Sequence, residues 1–152
     1  MTACYVARPT ADGQSHEFLQ LCRRAGDYMA GAWTTVYGTS SEGETAWQAA
    51  LRELREESGL SPREFYQLDF VQTFYTALND TLWHAIPFIA LVARQDELTL
   101  NEEHSSHRWV TRDRVDELFL WESDRASIRS ACRDILDGSS AKQHLKIEVK
   151  DG

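Results

Sequence analysis

Apolar positions recur along the chain with two different periods. The run "ACYVARP" (3–9) reads as a strand, "ADGQS" as a turn and "HEFLQLCRR" (16–24) as a second strand, which predicts a hairpin. "AGDYMAGA" follows as a loop with two glycines, and "WTTVYG" as a short strand ending at Gly38. Two long apolar stretches, "FYQLDFVQTFYTAL" and "LWHAIPFIALVAR", predict a pair of strands joined by a turn at Asn79-Asp80, with Pro87 marking an edge position or a bulge. "DELTLNEEHSSHRWV" predicts a loop and a short strand over Arg108 to Val110, "TRDRVDELFL" a short helix capped by Thr111, and the tail "HLKIEVK" a strand.

Two segments carry the 3.6-residue period instead. In "SDRASIRSACRDILDG", Ile128, Ala131, Cys132, Ile135 and Leu136 form one stripe, and Gly138 ends the helix. The other helix runs from Ala46 to Glu57. Thr45 supplies its cap and Gln48 the reciprocal partner of a capping box. Gly59 fits the left-handed residue past its end, Leu60 folds back on Leu54, and Pro62 blocks continuation. At about 100° per residue, Trp47, Ala50, Leu51 and Leu54 make the core-facing stripe, and Gln48 and Arg55 the solvated side. Strands in the middle with helices after each half predict the α/β class: a mixed β-sheet packed by helices on both faces.

A third sector of the 46–57 helix is unusual. Ala46 and Ala49 lead along it to Glu53, Glu56 and Glu57. Like charges three and four residues apart weaken a helix, and a merely solvated face profits from mixed signs. Gln48 and Arg55 already provide such a face. Three carboxylates in one sector suit a hard divalent cation such as Mg²⁺, which takes oxygen ligands and is shared with substrate phosphates.

Composition narrows the partner. A chain of 152 residues suits one domain, 1–152, with room for a real core, and 42% apolar with 26% charged residues is ordinary for a globular protein. The formal net charge of −8 argues against a nucleic-acid polymer or an anionic membrane, while leaving room for a small phosphorylated substrate whose charge a metal offsets. Cys4, Cys22 and Cys132 are odd in number and far apart, as reduced thiols of a cytoplasmic protein are. No apolar run approaches the roughly 18 residues of a membrane helix, and the start lacks a signal-peptide core.

The loop ahead of the acidic helix completes a motif. From Gly38 the chain reads "GTSSEGETAWQAALRELREESGL", which resembles the Nudix box without a gap at Gly38, Glu44, Arg52, Glu53, Leu54, Glu56, Glu57, Gly59 and Leu60. The resemblance to Nudix hydrolases implies an α/β/α sandwich with the box (38–60) as loop-helix-loop. It implies hydrolysis of a nucleoside diphosphate linked to another group, with Mg²⁺ or Mn²⁺. It assigns metal binding to Glu53, Glu56, Glu57 and the Gly38 carbonyl, a positioning role to Arg52, and a structural one to Glu44. Arg52 also stands four residues before Glu56, a favourable spacing in itself. In "LNEEHSSHRWV", which is similar to an "EH…W-aliphatic" segment of bacterial members, Glu103 is the further ligand or base, with Glu102 the alternative of register. His104 and His107 read as loop or surface histidines. The catalytic candidates are thus Arg52, Glu53, Glu56, Glu57 and Glu103.

The pieces Trp33, Val36, Gly38, "GETAWQAALRELREE", Glu103-His104, Trp109 and Arg125 to Ile128 are similar to bacterial dihydroneopterin triphosphate and dATP pyrophosphatases. That likeness implies release of pyrophosphate from a nucleoside or pterin triphosphate. A dinucleoside polyphosphate or other nucleoside-diphosphate substrate, and a non-catalytic nucleotide-binding module, are the alternatives. Trp33, Tyr37, Phe74, Tyr75 and Trp83 are candidate ring contacts and Arg23 and Arg24 candidate phosphate contacts, with Trp33, Tyr37, Arg24 and Tyr75 foremost. Nudix enzymes are frequently dimers, which adds a homodimer to the expected partners.

Overall fold

The computed structural model describes residues 1–150. Its strands are β1 (Thr2–Pro9), β2 (His16–Arg23), β3 (Trp33–Thr34), β4 (Val36–Gly38), β5 (Glu64–Gln67), β6 (Gln72–Thr76), β7 (Thr81–Leu91) and β8 (His104–Thr111). The helices are α1 (Ala46–Ser58), α2 (Val115–Leu118), α3 (Glu122–Ala131) and α4 (Lys142–Leu145). β1 lies at the centre. Its alternate residues are buried on opposite faces, Ala3, Tyr5 and Ala7 in one apolar cluster and Cys4 and Val6 in the other. An unbroken apolar strand is what two-sided burial requires.

β2 pairs antiparallel with β1 over Ala7–Pro9 and then splays away. The segment 33–38 fills the gap: β3 pairs with β2, and β4 with β1. The single short strand expected there is therefore two, broken at Thr35 where the chain changes partner. Thr35 Oγ1 donates to the Cys4 carbonyl at 2.7 Å and fixes that crossing.

On its other side β1 pairs parallel with β7, the one parallel contact that makes the sheet mixed. β7 is shared in turn by β5, opposite Phe88–Leu91, and β6, opposite Thr81–Ala85. The long strand expected from Phe65 to Leu78 is thus two strands, and Pro87 marks the handover. Pro87 lies in a central strand rather than at an edge, and opposite it residues 68–71 face only 86–87, an irregularity of the bulge kind. Ile86 donates its N–H to Met1 on the β1 side, so the N–H that proline lacks falls on the opposite side, between the two partner strands. There the Pro87 carbonyl still accepts from Leu68 N–H at 3.0 Å.

α1 covers one face of the sheet, where Ala50, Leu54 and Leu60 pack with Leu19, Leu21, Phe65, Phe88 and Ala90. α2 and α3 cover the other through Val115, Ile128 and Ala131 against Phe18, Tyr66, Ile89 and Val110. This is the α/β/α sandwich. Three local readings change. β8 starts at His104 rather than Arg108, because it pairs with almost the full length of β2. Thr111 makes no capping bond; a 3₁₀ turn at Arg112–Arg114 precedes the single turn of α2. The tail is not a strand: Leu145 is buried from the short α4, and only Lys146 bridges to Tyr66. α3 runs on as a π-helical turn over Cys132–Leu136, closed by Gly138 at φ 76°. Among the described residues no helix is long and apolar enough to cross a membrane.

Candidate active site

α1 begins and ends as its sequence dictates. Thr45 accepts from Gln48 N–H while the Gln48 side chain accepts from Thr45 N–H at 2.9 Å, a closed capping box. Gly59 ends the helix at φ 71° and returns its N–H to Arg55. This fixes the phase of the helix against the sheet, and with it the direction of each carboxylate.

Arg52 organises the outer part of the acidic sector. Its Nε and Nη2 hold both oxygens of Glu44 at 2.9 and 3.1 Å, and Nη2 also reaches the Thr39 carbonyl at 3.0 Å. Its Nη1 donates to Glu53 at 2.9 Å and Glu56 at 3.2 Å. One guanidinium thus relieves the repulsion between two of the crowded glutamates and ties them to the loop before the helix. Glu44 also accepts from Ser41 N–H at 2.9 Å, so both loop and helix hang on this pair.

Gly38 meets this cluster from β4. A Cβ built on it would overlap Glu53 Cγ and lie 3.0 Å from Cδ. The backbone therefore runs against the Glu53 side chain at a distance only glycine allows.

Glu57 points the other way, inward, and is 5% exposed. Burial, with the negative charges of Glu103, Glu53 and Glu56, pushes its carboxyl up to about 8; Arg23 opposes the rise. His104 lies beneath it, with Nε2 3.9 Å from Glu57 Oε2 and Nδ1 3.3 Å from Asn101 Oδ1. It is a buried residue of β8, not a surface or loop histidine, and burial and the neighbouring Arg23 lower its pKa. His107 is exposed, as expected. Among the described residues, no three His, Cys, Asp or Glu side chains stand ready as a metal cage. Yet the donor set fits a hard divalent cation. It is all oxygen, its innermost member is a buried carboxylate repelled by three others, and the Gly38 backbone runs against Glu53.

A cavity of about 850 Å³ opens from Glu57 and His104. Tyr28, Tyr37, Phe70, Phe74, Trp83 and Trp121 give it aromatic walls, and Gln72 lies among them on β6. Among the described residues, Arg23 is the only arginine or lysine side chain on the wall. Its Nε donates to the Tyr28 carbonyl at 2.7 Å.

The candidate contacts distribute unevenly. Tyr37 and Tyr75 line the cavity, as do Phe74 and Trp83. Trp33 does not: its ring is covered by the Arg108 guanidinium, 4.2 Å from the ring centroid. Arg24 is exposed outside the wall, and its backbone is engaged, its N–H by the Glu103 carbonyl and its carbonyl by Asp27 N–H. One residue of strand register separates it from Arg23, which faces in. Glu103 acts on Glu57 by charge from an exposed turn, whereas Glu102 has no such effect on it. Gln72, Phe70 and Trp121 escaped sequence reading. The first looks like one polar residue in a strand, and the others come together only in the fold.

A model of the NUDIX domain matches residues 3–131, so the chain belongs to that family. It is a Nudix hydrolase, an enzyme of phosphoric anhydride bonds. Among its relatives is the pig bis(5'-nucleosyl)-tetraphosphatase [asymmetrical], 31% identical over 126 residues that span 80% of this chain and 82% of the relative. Another is the nucleoside triphosphatase NudI of Enterobacter sp. (strain 638), 29% identical over 69% of this chain and 81% of its own. A C. elegans Ap4A hydrolase binary complex superposes with a TM-score of 0.71 at 22% identity, covering 87% and 93% of the two chains. The E. coli dihydroneopterin triphosphate pyrophosphohydrolase superposes with a TM-score of 0.68 at 21% identity, covering 90% and 96%. These two likenesses carry the fold.

Proposed function

We propose that the chain, as one Nudix domain over 1–152, is a Mg²⁺- or Mn²⁺-dependent pyrophosphohydrolase of a nucleoside or pterin triphosphate. The observation that carries this is the junction at Glu57, where the glutamate cluster opens into an aromatic cavity past a single arginine. Gly38, Glu53, Glu56, Glu57 and Glu103 would hold the cation. When bound it neutralises phosphate charge and makes water a stronger nucleophile.

The protein groups divide the remaining work. Glu53, Glu56 or Glu103 takes the proton of the attacking water as general base. The new oxygen–phosphorus bond forms as the anhydride oxygen leaves with the departing phosphate. Arg52 keeps Glu53 and Glu56 in place through its shared Nη1. Arg23 contacts the phosphate chain, and the aromatic walls take the ring.

A dinucleoside polyphosphate substrate is the second reading. It is favoured by the pig tetraphosphatase, which is 31% identical over four fifths of both chains. A panel of nucleoside triphosphates, dihydroneopterin triphosphate and diadenosine polyphosphates with Mg²⁺, products resolved by chromatography, separates the two. Glu56→Gln is expected to lose nearly all turnover on the best substrate while keeping its circular dichroism and melting temperature. Retained turnover would remove Glu56 from the assignment.

A further inference from the structure

Gln72 is 3% exposed, and its Oε1 is the buried side-chain oxygen without a hydrogen-bond partner among the described residues. Such an orphan is uncommon and costs stability unless something meets it. The amide cannot relieve the defect by turning over. Tyr5 donates its hydroxyl hydrogen to Asp124 Oδ1 at 2.6 Å, and Ser127 donates its own to the Ser123 carbonyl at 2.7 Å. Both hydroxyls can then only accept, and they accept from Gln72 Nε2 at 2.6 and 2.7 Å. The Ser123 carbonyl stands 3.2 Å from the same nitrogen. A flipped amide would set Oε1 against three oxygens. Gln72 is therefore locked as an acceptor, among the aromatic side chains of the cavity.

We infer that Gln72 Oε1 is a specificity-determining acceptor for an amino group of the heterocycle that enters this cavity. The inference rests on the proposed nucleotide or pterin reading of the cavity and deepens it. An acceptor held this rigidly favours an amino-bearing purine or pterin ring over the same ring without the group, because loss of the donor leaves the oxygen unpaired again. Oε1 is covered in this structure, so the donor reaches it as the ring seats against Gln72 and the side chains above it part.

The test uses two matched pairs of probes: ATP with purine riboside 5'-triphosphate, which lacks the 6-amino group, and GTP with inosine triphosphate, which lacks the 2-amino group. Binding is read by tryptophan fluorescence and turnover by product release with Mg²⁺. In at least one pair the amino-bearing member is expected to bind about tenfold tighter, the ratio that one added hydrogen bond in a closed site supports. Gln72→Met, or Gln72→Leu should the first fail to fold, is expected to erase that ratio by weakening the amino-bearing member alone. Equal binding within both pairs in the wild-type protein would overturn the inference, whether or not the variants fold. So would a ratio that survives in a folded variant. Binding of the probes with no turnover of any would overturn the hydrolytic reading of the site and leave the binding ratios to decide on Gln72.

Discussion

At the scale of single residues, Gly38 shows how close backbone and carboxylate run in this fold. A methyl group there overlaps Glu53 Cγ, so Gly38→Ala must move either β4 or the glutamate. Displacement of a reacting group by about 1 Å can cost on the order of 100-fold in rate. Gly38→Ala is accordingly expected to lower kcat by about that factor while the protein still unfolds cooperatively; steady-state kinetics and a denaturation curve check both halves. The spacing of Gly38, Arg52, Glu53, Glu56 and Glu57 was legible in the sequence because helix and box have fixed periods. The positioning role of Arg52 and its spacing to Glu56 were legible too; that Glu57 turns inward was not. It depends on which flank of α1 meets the sheet and on burial that no local pattern reports. Arg23 and Arg24 make the same point, since one residue of register decides which lines the cavity.

At the scale of elements, α1 was the most legible because its stop and start signals are chemical. Thr45→Ala removes the side-chain half of the capping box and is expected to cost about 1 kcal/mol, measured as a shift in the denaturation midpoint. The strands were harder. Residues 33–38 and 65–78 each read as one apolar run, yet each breaks, the first at Thr35 where the chain changes partner, the second opposite Pro87 where its register against the same β7 slips. A pattern of alternation records which face a residue occupies, not which neighbour it pairs with. Pro87 was a visible signal with two ordinary meanings, edge or bulge; the edge reading fails, and the register break opposite it is bulge-like. The tail alternates like a strand but ends as one helical turn, because burying Leu145 outweighs pairing at an already finished sheet.

At the scale of the whole molecule, the proposed cation site would link stability to cations. A ligand that binds only the folded state stabilises it by about 2.7 kcal/mol at a hundredfold excess over Kd. Saturating Mg²⁺ is expected to raise the melting temperature by several degrees, and an unchanged value would refute the cluster as a cation site. A second linkage runs through the opposite layer. Asp124 accepts from both Tyr5 and Tyr37, at 2.6 and 2.5 Å, and joins α3 to β1 and β4. Burial raises its pKa, against the two hydroxyl donors that lower it. The folded protein then holds a proton that the unfolded chain has already released. That contribution to stability is fully present below about pH 3.9 and is lost as pH rises through the raised folded value. Asp124→Asn is expected to flatten this part of the stability profile, read by urea titrations across the acidic range.

The handover at Pro87 also has an evolutionary side. The glutamates sit on α1 and in the turn before β8, whereas Phe74, Trp83 and Gln72 sit on a hairpin that joins the sheet only through β7. The proposed hydrolytic groups and this part of the proposed ring-holding wall thus lie in separate parts of the chain, meeting along one cavity. On the proposed reading, substitutions in the hairpin would exchange one heterocycle for another while the cation end keeps its geometry. A fold divided in this way can diversify its diet without reinventing its chemistry.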